Sequence, residues 1–588
     1  MTNFRFGRTV KPNERWPVSW YHPLVLLQAA LDLLSSLNQF RNRDEREGFA
    51  LPLSVIDRSQ GGADDFWFDF IADTGDGGNA TYSVATAAMS ESVTSQNHEL
   101  LLRGELLLLG GDLAYPSASA LEYRYRFVEM FEAALPEEVT AQTLVRGKPF
   151  TLAALPQNHD WMDSASTFGR YFIRNKSPRQ LLGAEIPQHQ SYFCVRLPHG
   201  WWALGLDFAM TGDIDRDQFE QFAKLLDNAA GQGIGSADRV ILIYPEPIWT
   251  TPLNAGIYPG GARRYQSLEG LLGARIALRL AGDLHHYMRW TSASDGQLVT
   301  CGTGGAFTHP THTRLTRQPV LLQAIANNDS IPASSGQRIQ IGTDDGQLQG
   351  ARRAFEKVKG SEYPPVSTSR KLALGNLTAL FAGGETFGQG NRWFALLLGV
   401  LYGLTAMLAS SPVGVGLMVL LFGLMSLAIG RESLAEAPAK WSAWQRWLLT
   451  GGSSLLHALC HTGLLLWLVC VLKGTLLNAL LIPVAGALLG TLIFGAYLAA
   501  MSWFGFLTNN GYSALALQDL KGFLRFKIST DGALHGYFVA IDQVPRQWHT
   551  GPGLQPVWQP TDRPLTTRVH DRFTIYKSAT LKPFTHES

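Results

Sequence analysis

The feature that most constrains this chain is the absence of charge over two long stretches. From Trp393 to Gly430 there are 38 residues with no Asp, Glu, Lys or Arg, and from Trp447 to Phe506 there are 60 residues whose only charge is Lys473. A bilayer core about 30 Å thick needs roughly 20 apolar residues at 1.5 Å each. The runs therefore divide into helices at Trp393–Ser410, Pro412–Gly430, Trp447–Leu472 and Thr475–Trp503, with tight turns at Ser411-Pro412 and Lys473-Gly474. Pro483 and Gly486 predict a kink or a break in the last segment, which leaves five spans as the alternative to four.

Charge elsewhere narrows the remaining classes. Lys and Arg total 49 against 48 Asp and Glu, a net +1, so the broad basic field that nucleic-acid binding needs is missing. The four cysteines, Cys194, Cys301, Cys460 and Cys470, have no C-x-x-C spacing, which argues against a disulfide framework or a structural zinc. Lys371 and Arg392 precede the first apolar segment, Arg431, Lys440 and Arg446 follow the second, and Lys521, Arg525 and Lys527 follow the fourth. This distribution predicts a multi-pass membrane protein whose soluble domain and C-terminus both face the cytoplasm.

Residues 51–313 read as repeated strand, loop and helix. Apolar runs at Phe66–Ala72, Glu105–Leu109, Phe150–Leu155, Ser191–Leu197, Trp201–Phe208, Arg239–Tyr244 and Ile276–Ala281 have strand length and are bounded by Gly, Pro or Asp. Ligands in α/β sheets bind outside the strand carboxyl ends. There the sequence places Asp73, Asp112, the pair Asn158-His159, Asp283 and His285. Carboxylates, an amide and imidazoles together form a mixed oxygen and nitrogen donor set suited to Fe, Mn or Zn.

The segments Asp73-Thr74-Gly75, Gly111-Asp112-Leu113-Ala114-Tyr115, Asn158-His159-Asp160 and Gly282-Asp283-Leu284-His285-His286-Tyr287-Met288-Arg289 occur in that order. The set resembles the motifs of the calcineurin-like metallophosphoesterases, in the purple-acid-phosphatase variant with a tyrosine after Gly-Asp. The longer stretches around them are similar to a membrane-bound plant and bacterial branch in which transmembrane helices follow the phosphoesterase domain. The resemblance implies an α/β fold, a four-layer α/β/β/α sandwich followed by an all-α transmembrane bundle and a small C-terminal β unit. It also implies two metal ions. Asp73, Tyr115 and His285 would hold the first, Asp112 would bridge, and Asn158 would hold the second. His159, oriented by Asp160, would donate a proton or steady the phosphoryl oxygens.

Three positions depart from the family pattern. Asp283 stands where a histidine is usual, Pro245 replaces a histidine ligand after the strand Arg239–Tyr244, and Gln157 replaces a glycine, with a side chain expected to crowd the metals. With Asp112, Asn158 and Asp283 as oxygen donors, the second site is expected to be weaker and to prefer Mn or Mg, against Fe, Mn or Zn at the first. Glu246 is a substitute donor. The function expected is hydrolysis of a phosphomonoester or phosphodiester, with a lipid-linked substrate as one candidate. The alternative is a non-catalytic metal-binding sensor or scaffold on the same fold.

The other segments carry less. Residues 1–50 contain an apolar stretch, Pro23 to Leu37, interrupted by Gln28 and Asp32; it reads as an amphipathic helix on the soluble domain or on the membrane surface, and not as a signal peptide. Residues 314–392 read as a linker or docking subdomain, with Lys357, Lys359 and Lys371 solvated or touching headgroups. The membrane domain covers 393–507. In residues 508–588 two strands around Asp531-Gly532 suggest a small β unit at the membrane surface. His286 reads as packing beside a ligand, and His309 and His312 as loop or cleft residues. His457 and His461, at i and i+4, could bind a metal, relay protons, or make a helix–helix hydrogen bond.

Overall fold

A computed structural model describes residues 10–42, 52–60, 64–136, 142–174, 181–226, 232–250, 264–292, 296–313, 320–324, 338–341, 352–384, 389–437, 441–472, 478–550 and 556–577. The chain is a mixed α/β protein with several sheets in which long apolar helices occupy the C-terminal half. The expected turn at Lys473-Gly474 lies outside the described residues.

The strand Phe66–Ile71 is buried at every position, as a run covered on both faces must be. It pairs in parallel with Leu106–Leu109, which pairs in parallel with Thr151–Ala154. On its other side lies Lys521–Ile528, antiparallel, followed by Leu534–Ile541 and Arg568–Ile575. The predicted hairpin around Asp531-Gly532 is present, but it is not a separate unit at the membrane surface. It is built into the same sheet as the first candidate ligand strands. The cause is a pairing that local sequence does not encode: Arg525, fully buried, donates from Nε and Nη2 to the two carboxylate oxygens of Asp69 at 2.7 and 2.9 Å.

A ten-stranded sheet runs in the order Val55–Asp57, Phe193–Leu197, Trp201–Gly205, Arg239–Tyr244, Ile276–Ala281, Gln297–Cys301, Tyr287–Ser292, Arg352–Lys357, Val320–Ala324, Arg338–Ile341. Its last three strands come from residues 314–392, so that segment extends the sheet and is more than a linker. Phe68, Phe70 and Phe526 from one sheet and Val195, Ile241 and Leu280 from the other share one apolar core. The outer face of the six-stranded sheet is covered by Tyr82, Phe127 and Phe131, and that of the larger sheet by Phe222, Leu268 and Leu272.

Among the described residues, four helices are long and apolar enough to cross a membrane: Arg392–Ala409, Pro412–Glu436, Ala443–Val471 and Leu480–Trp503. Pro483 does not break the last of them. The helix continues through a wider π-turn at Gly486–Gly490, and Tyr402 packs so closely there that a Cβ on Gly486 would lie 2.4 Å from it. The helices are tied to the sheets at one end. The Glu436 carboxylate accepts the Leu507 and Thr508 amides at 2.5 and 2.9 Å, Glu432 accepts those of Asn509 and Asn510, and His312 bridges Ser369 Oγ and the Ser502 carbonyl.

Candidate metal centre

Three aspartates leave three strand ends in the left-handed backbone region, Asp73 at φ 56°, Asp112 at φ 51° and Asp283 at φ 68°. A residue with a Cβ adopts this conformation at a cost, and such positions concentrate where side chains must be aimed. Here the turns direct carboxylates to one place. Glycines admit the approach: a Cβ on Gly282 or Gly302 would lie 2.4 or 2.7 Å from Asp73 Oδ2.

The Tyr115 hydroxyl sits among the donors, 3.0 Å from Asp112 Oδ2, 3.2 Å from His285 Nε2 and 3.5 Å from Asp73 Oδ1, and His285 Nε2 is 3.4 Å from Asp73 Oδ1. All four side chains are buried. Donor bonds of about 2.0 to 2.2 Å to one first-row cation place ligand atoms roughly 3.0 to 3.5 Å from each other, by tetrahedral and octahedral geometry. The spacing and chemistry of this set therefore fit a metal, with the phenol as an indispensable member. Among the described residues no three His, Cys, Asp or Glu side chains form such a group by themselves.

Electrostatics point the same way. Burial first, then Asp73, raises the Asp112 carboxyl well above its ordinary range; burial, then Glu246, Asp73 and Asp112, does the same to Asp283. Burial also raises Asp73. Clustered carboxylates of this kind ionise together only against a cation.

The second group is assembled less tightly. The backbone N–H of His159 donates to Asp112 Oδ1 at 2.9 Å and to Asn158 Oδ1 at 3.0 Å, which brings those two oxygens together. Asp283 faces Asp112 and Glu246, while Pro245 is buried and offers no donor. The backbone N–H of Asp283 donates to Asp73 Oδ2 at 2.8 Å.

One expected side-chain role is corrected. Asp160 does not orient the His159 ring. Its carboxylate accepts the backbone amides of Asp112, Leu113 and Gln157 and the Tyr123 hydroxyl, so it clamps two ligand loops together. The ring partner of His159 is the Pro116 carbonyl, 2.7 Å from Nδ1. A carbonyl only accepts, so Nδ1 carries the proton and Nε2 the lone pair. Burial lowers the His159 pKa, opposed in part by Pro116, Asp160 and Asp73. Gln157, for its part, donates from Nε2 to the Gly110 carbonyl at 2.6 Å and is hydrogen-bonded to Asp73 through its side chain.

The N-terminal segment forms a wall that sequence reasoning missed. Trp20 lies 5.8 Å from the His159 ring, 6.3 Å from Tyr115 and 6.2 Å from Phe307. Val18 N–H donates to Asp76 Oδ1, and Tyr21 N–H donates to Asn391 Oδ1 at the foot of the first apolar helix. The only sequence signal was an aromatic density, Trp16, Trp20 and Tyr21, in a polar stretch. His309 makes a second tie: Nδ1 accepts the His285 backbone N–H at 2.9 Å, and Nε2 is 3.3 Å from Asn509 Oδ1. His286 is buried against these rings with neither ring nitrogen hydrogen-bonded.

No protein-family model and no curated protein matches this chain. Solved structures give partial likenesses. The chain is similar to GAP50, the anchor in the inner membrane complex of Plasmodium, at 13% identity over 42% of this chain and 74% of that one, with a TM-score of 0.29. It is similar to PhoD at 12% identity over 44% of this chain and 59% of that one, with a TM-score of 0.25.

Proposed function

We propose that this chain is a membrane-bound, metal-dependent phosphoesterase of the calcineurin-like type, with the two sheets and their outer helices as its four-layer sandwich. The observation that carries the reading is the convergence of Asp73, Asp112, Tyr115 and His285 at mutual distances of 3.0 to 3.5 Å. Asp73, Tyr115, His285 and Asp112 would hold a first cation, Fe, Mn or Zn, and Asp112, Asn158 and Asp283, with Glu246 beside them, would hold a second, harder cation such as Mn or Mg. When bound, the metals supply Lewis acidity toward phosphoryl oxygens and a lowered pKa for the attacking water. His159 exchanges a proton with the substrate at Nε2, since Nδ1 is committed to Pro116. Asp160 keeps the Asp112 and Gln157 loops in register, and Trp20 with Phe307 limits access of bulk water.

The substrate we favour is a phosphoester presented at a bilayer surface. His285 reaches the foot of the apolar helices through His309 and Asn509, and Trp20 reaches it through Tyr21 and Asn391. The cation distribution supports a cytoplasmic side for the domain. The test is metal analysis of the purified full chain, with turnover of a soluble phosphodiester, a phosphomonoester and a phospholipid in vesicles under added Mn. Hydrolysis of at least one supports the reading. A protein that holds one metal and hydrolyses none of them is the sensor or scaffold, the reading favoured by Pro245.

A further inference from the structure

Four side chains inside the apolar helix bundle form one unbroken hydrogen-bonded row. Ser426 Oγ lies 2.8 Å from His457 Nδ1, His457 Nε2 lies 3.0 Å from His461 Nε2, and His461 Nδ1 lies 2.7 Å from the Tyr402 hydroxyl. Three helices contribute: Tyr402 from Arg392–Ala409, Ser426 from Pro412–Glu436 and the two histidines from Ala443–Val471. All four residues are buried. Thr450, Ser454, His457 and His461 recur at i, i+4, i+7 and i+11 and are buried, so they share one face of the helix. That face covers about 16 Å of rise, roughly half of a bilayer core.

The row continues toward the end that joins the sheets. Ser454 Oγ donates to the Ser426 carbonyl at 3.2 Å, and Ser433 and Thr450 hydroxyls are 2.6 Å apart. The aromatic surroundings suit a transient positive charge. Tyr497 stacks on His457 at 4.3 Å and 10°, and Phe422 stacks on His461 at 5.3 Å and 13°. The groups facing the pair are thus the hydroxyls of Tyr402, Tyr497 and Ser426. The sequence from Trp393 to Gly430 offers no carboxylate or cation, and from Trp447 to Phe506 its only charge is Lys473.

We infer that Ser426, His457, His461 and Tyr402 form a proton relay within the membrane bundle. A neutral imidazole has one N–H and one lone pair, so the row can point in one direction at a time. In the first, Ser426 donates to His457 Nδ1, His457 Nε2–H donates to His461 Nε2, and His461 Nδ1–H donates to the Tyr402 oxygen, whose own O–H reaches the His461 carbonyl at 3.4 Å. A hydronium ion that delivers a proton to Ser426 Oγ sends the serine proton to His457 Nδ1. The His457 Nε2 proton then passes to His461 Nε2, the His461 Nδ1 proton to Tyr402, and a water molecule takes up the tyrosine proton. Every member gains one proton and loses one. The row ends pointing the other way, with each contact still made by one donor and one acceptor. A static staple between helices needs only one such contact; here both ring nitrogens of both histidines are engaged in series. Ionisable residues within membrane spans are rare and mark ion and proton routes.

This inference stands apart from the phosphoesterase reading, and its test uses no substrate. The full chain is reconstituted in vesicles holding a pH-sensitive dye, and a potassium gradient with valinomycin drives protons. Flux above that of protein-free vesicles is expected. His457→Gln and His461→Gln keep a donor and an acceptor but cannot shuttle a proton, and each should bring flux down to the protein-free level with reconstitution yield and melting temperature retained. His461→Phe should do the same. Wild-type flux equal to that of protein-free vesicles overturns the relay, and so does a Gln variant that conducts like wild type, since a structural staple is rescued by Gln.

Discussion

Trp20 places its indole 5.8 Å from the imidazole of His159, so a residue near the start of the chain closes a centre whose ligands come from strand ends far along it. The indole Nε1 is buried without a hydrogen bond, which marks packing as its contribution. Trp20→Ala should open this wall. A soluble chelator should then strip metal from the variant faster than from wild type, measured by metal content against time, while Asp73, Asp112 and His285 still bind. Equal stripping rates would show that solvent reaches the centre by another route.

Asp112 serves both halves of the centre: Oδ2 meets Tyr115 and Oδ1 meets the His159 amide. Asp112→Ala should therefore lose both metals and all hydrolysis, measured by elemental analysis and turnover. Full metal content in that variant would remove Asp112 from the ligand set.

For His159 the expectation differs, because its ring is hydrogen-bonded to the Pro116 carbonyl and only packs against Tyr115, at 4.5 Å, and Trp20, at 5.8 Å. His159→Ala should lower turnover about 10²- to 10⁴-fold, the range for general acid–base help, with metal content unchanged. If turnover stays at the wild-type level, the imidazole only packs.

The convergence of the strand-end candidates was legible because each sits where a buried apolar run meets Gly or Asp, and the apolar helices were legible because a bilayer excludes charge over a fixed length. Asp160 was misread for a definite reason. Adjacent letters suggested a carboxylate beside an imidazole, whereas the turn at Gln157–Asp160 directs the carboxylate back to the Asp112 loop. The place of Trp20 and the sheet that the predicted C-terminal hairpin joins were invisible because their partners lie hundreds of residues away, and local periodicity carries no information about such pairing.

Glu436 and Thr508 are hydrogen-bonded, which sets the loop after the second apolar helix beside the segment after the fourth. Membrane-impermeant labelling of single cysteines at the exposed positions Ser442 and Thr561 should report one and the same side of the membrane. Cytoplasmic labelling at both follows from the cation distribution. Opposite sides would require an odd number of spans, against the continuous helix through Pro483.

The pairing of Arg525 with Asp69 bears on what the sheet domain needs in order to fold. Arg525 also donates to the carbonyls of Leu101 and Ala88 at 3.0 and 2.7 Å, so four of its five N–H groups are engaged in a fully buried site. Removing one partner of a buried ion pair leaves the other uncompensated and costs about 3–5 kcal/mol. Arg525→Leu should thus lower the denaturant midpoint of the soluble domain, and Asp69→Leu combined with it should recover part of the loss, because two apolar groups leave no orphan charge. The same relationship governs truncation. Residues 51–313 alone would expose the edge of Phe66–Ile71, where Lys521–Ile528 belongs, and an open apolar strand edge is an aggregation surface. That fragment should be insoluble, while adding residues 521–577 in trans or by fusion should restore a soluble, cooperatively melting protein. A soluble, cooperative 51–313 fragment would mean that the C-terminal strands decorate the sheet and do not complete it.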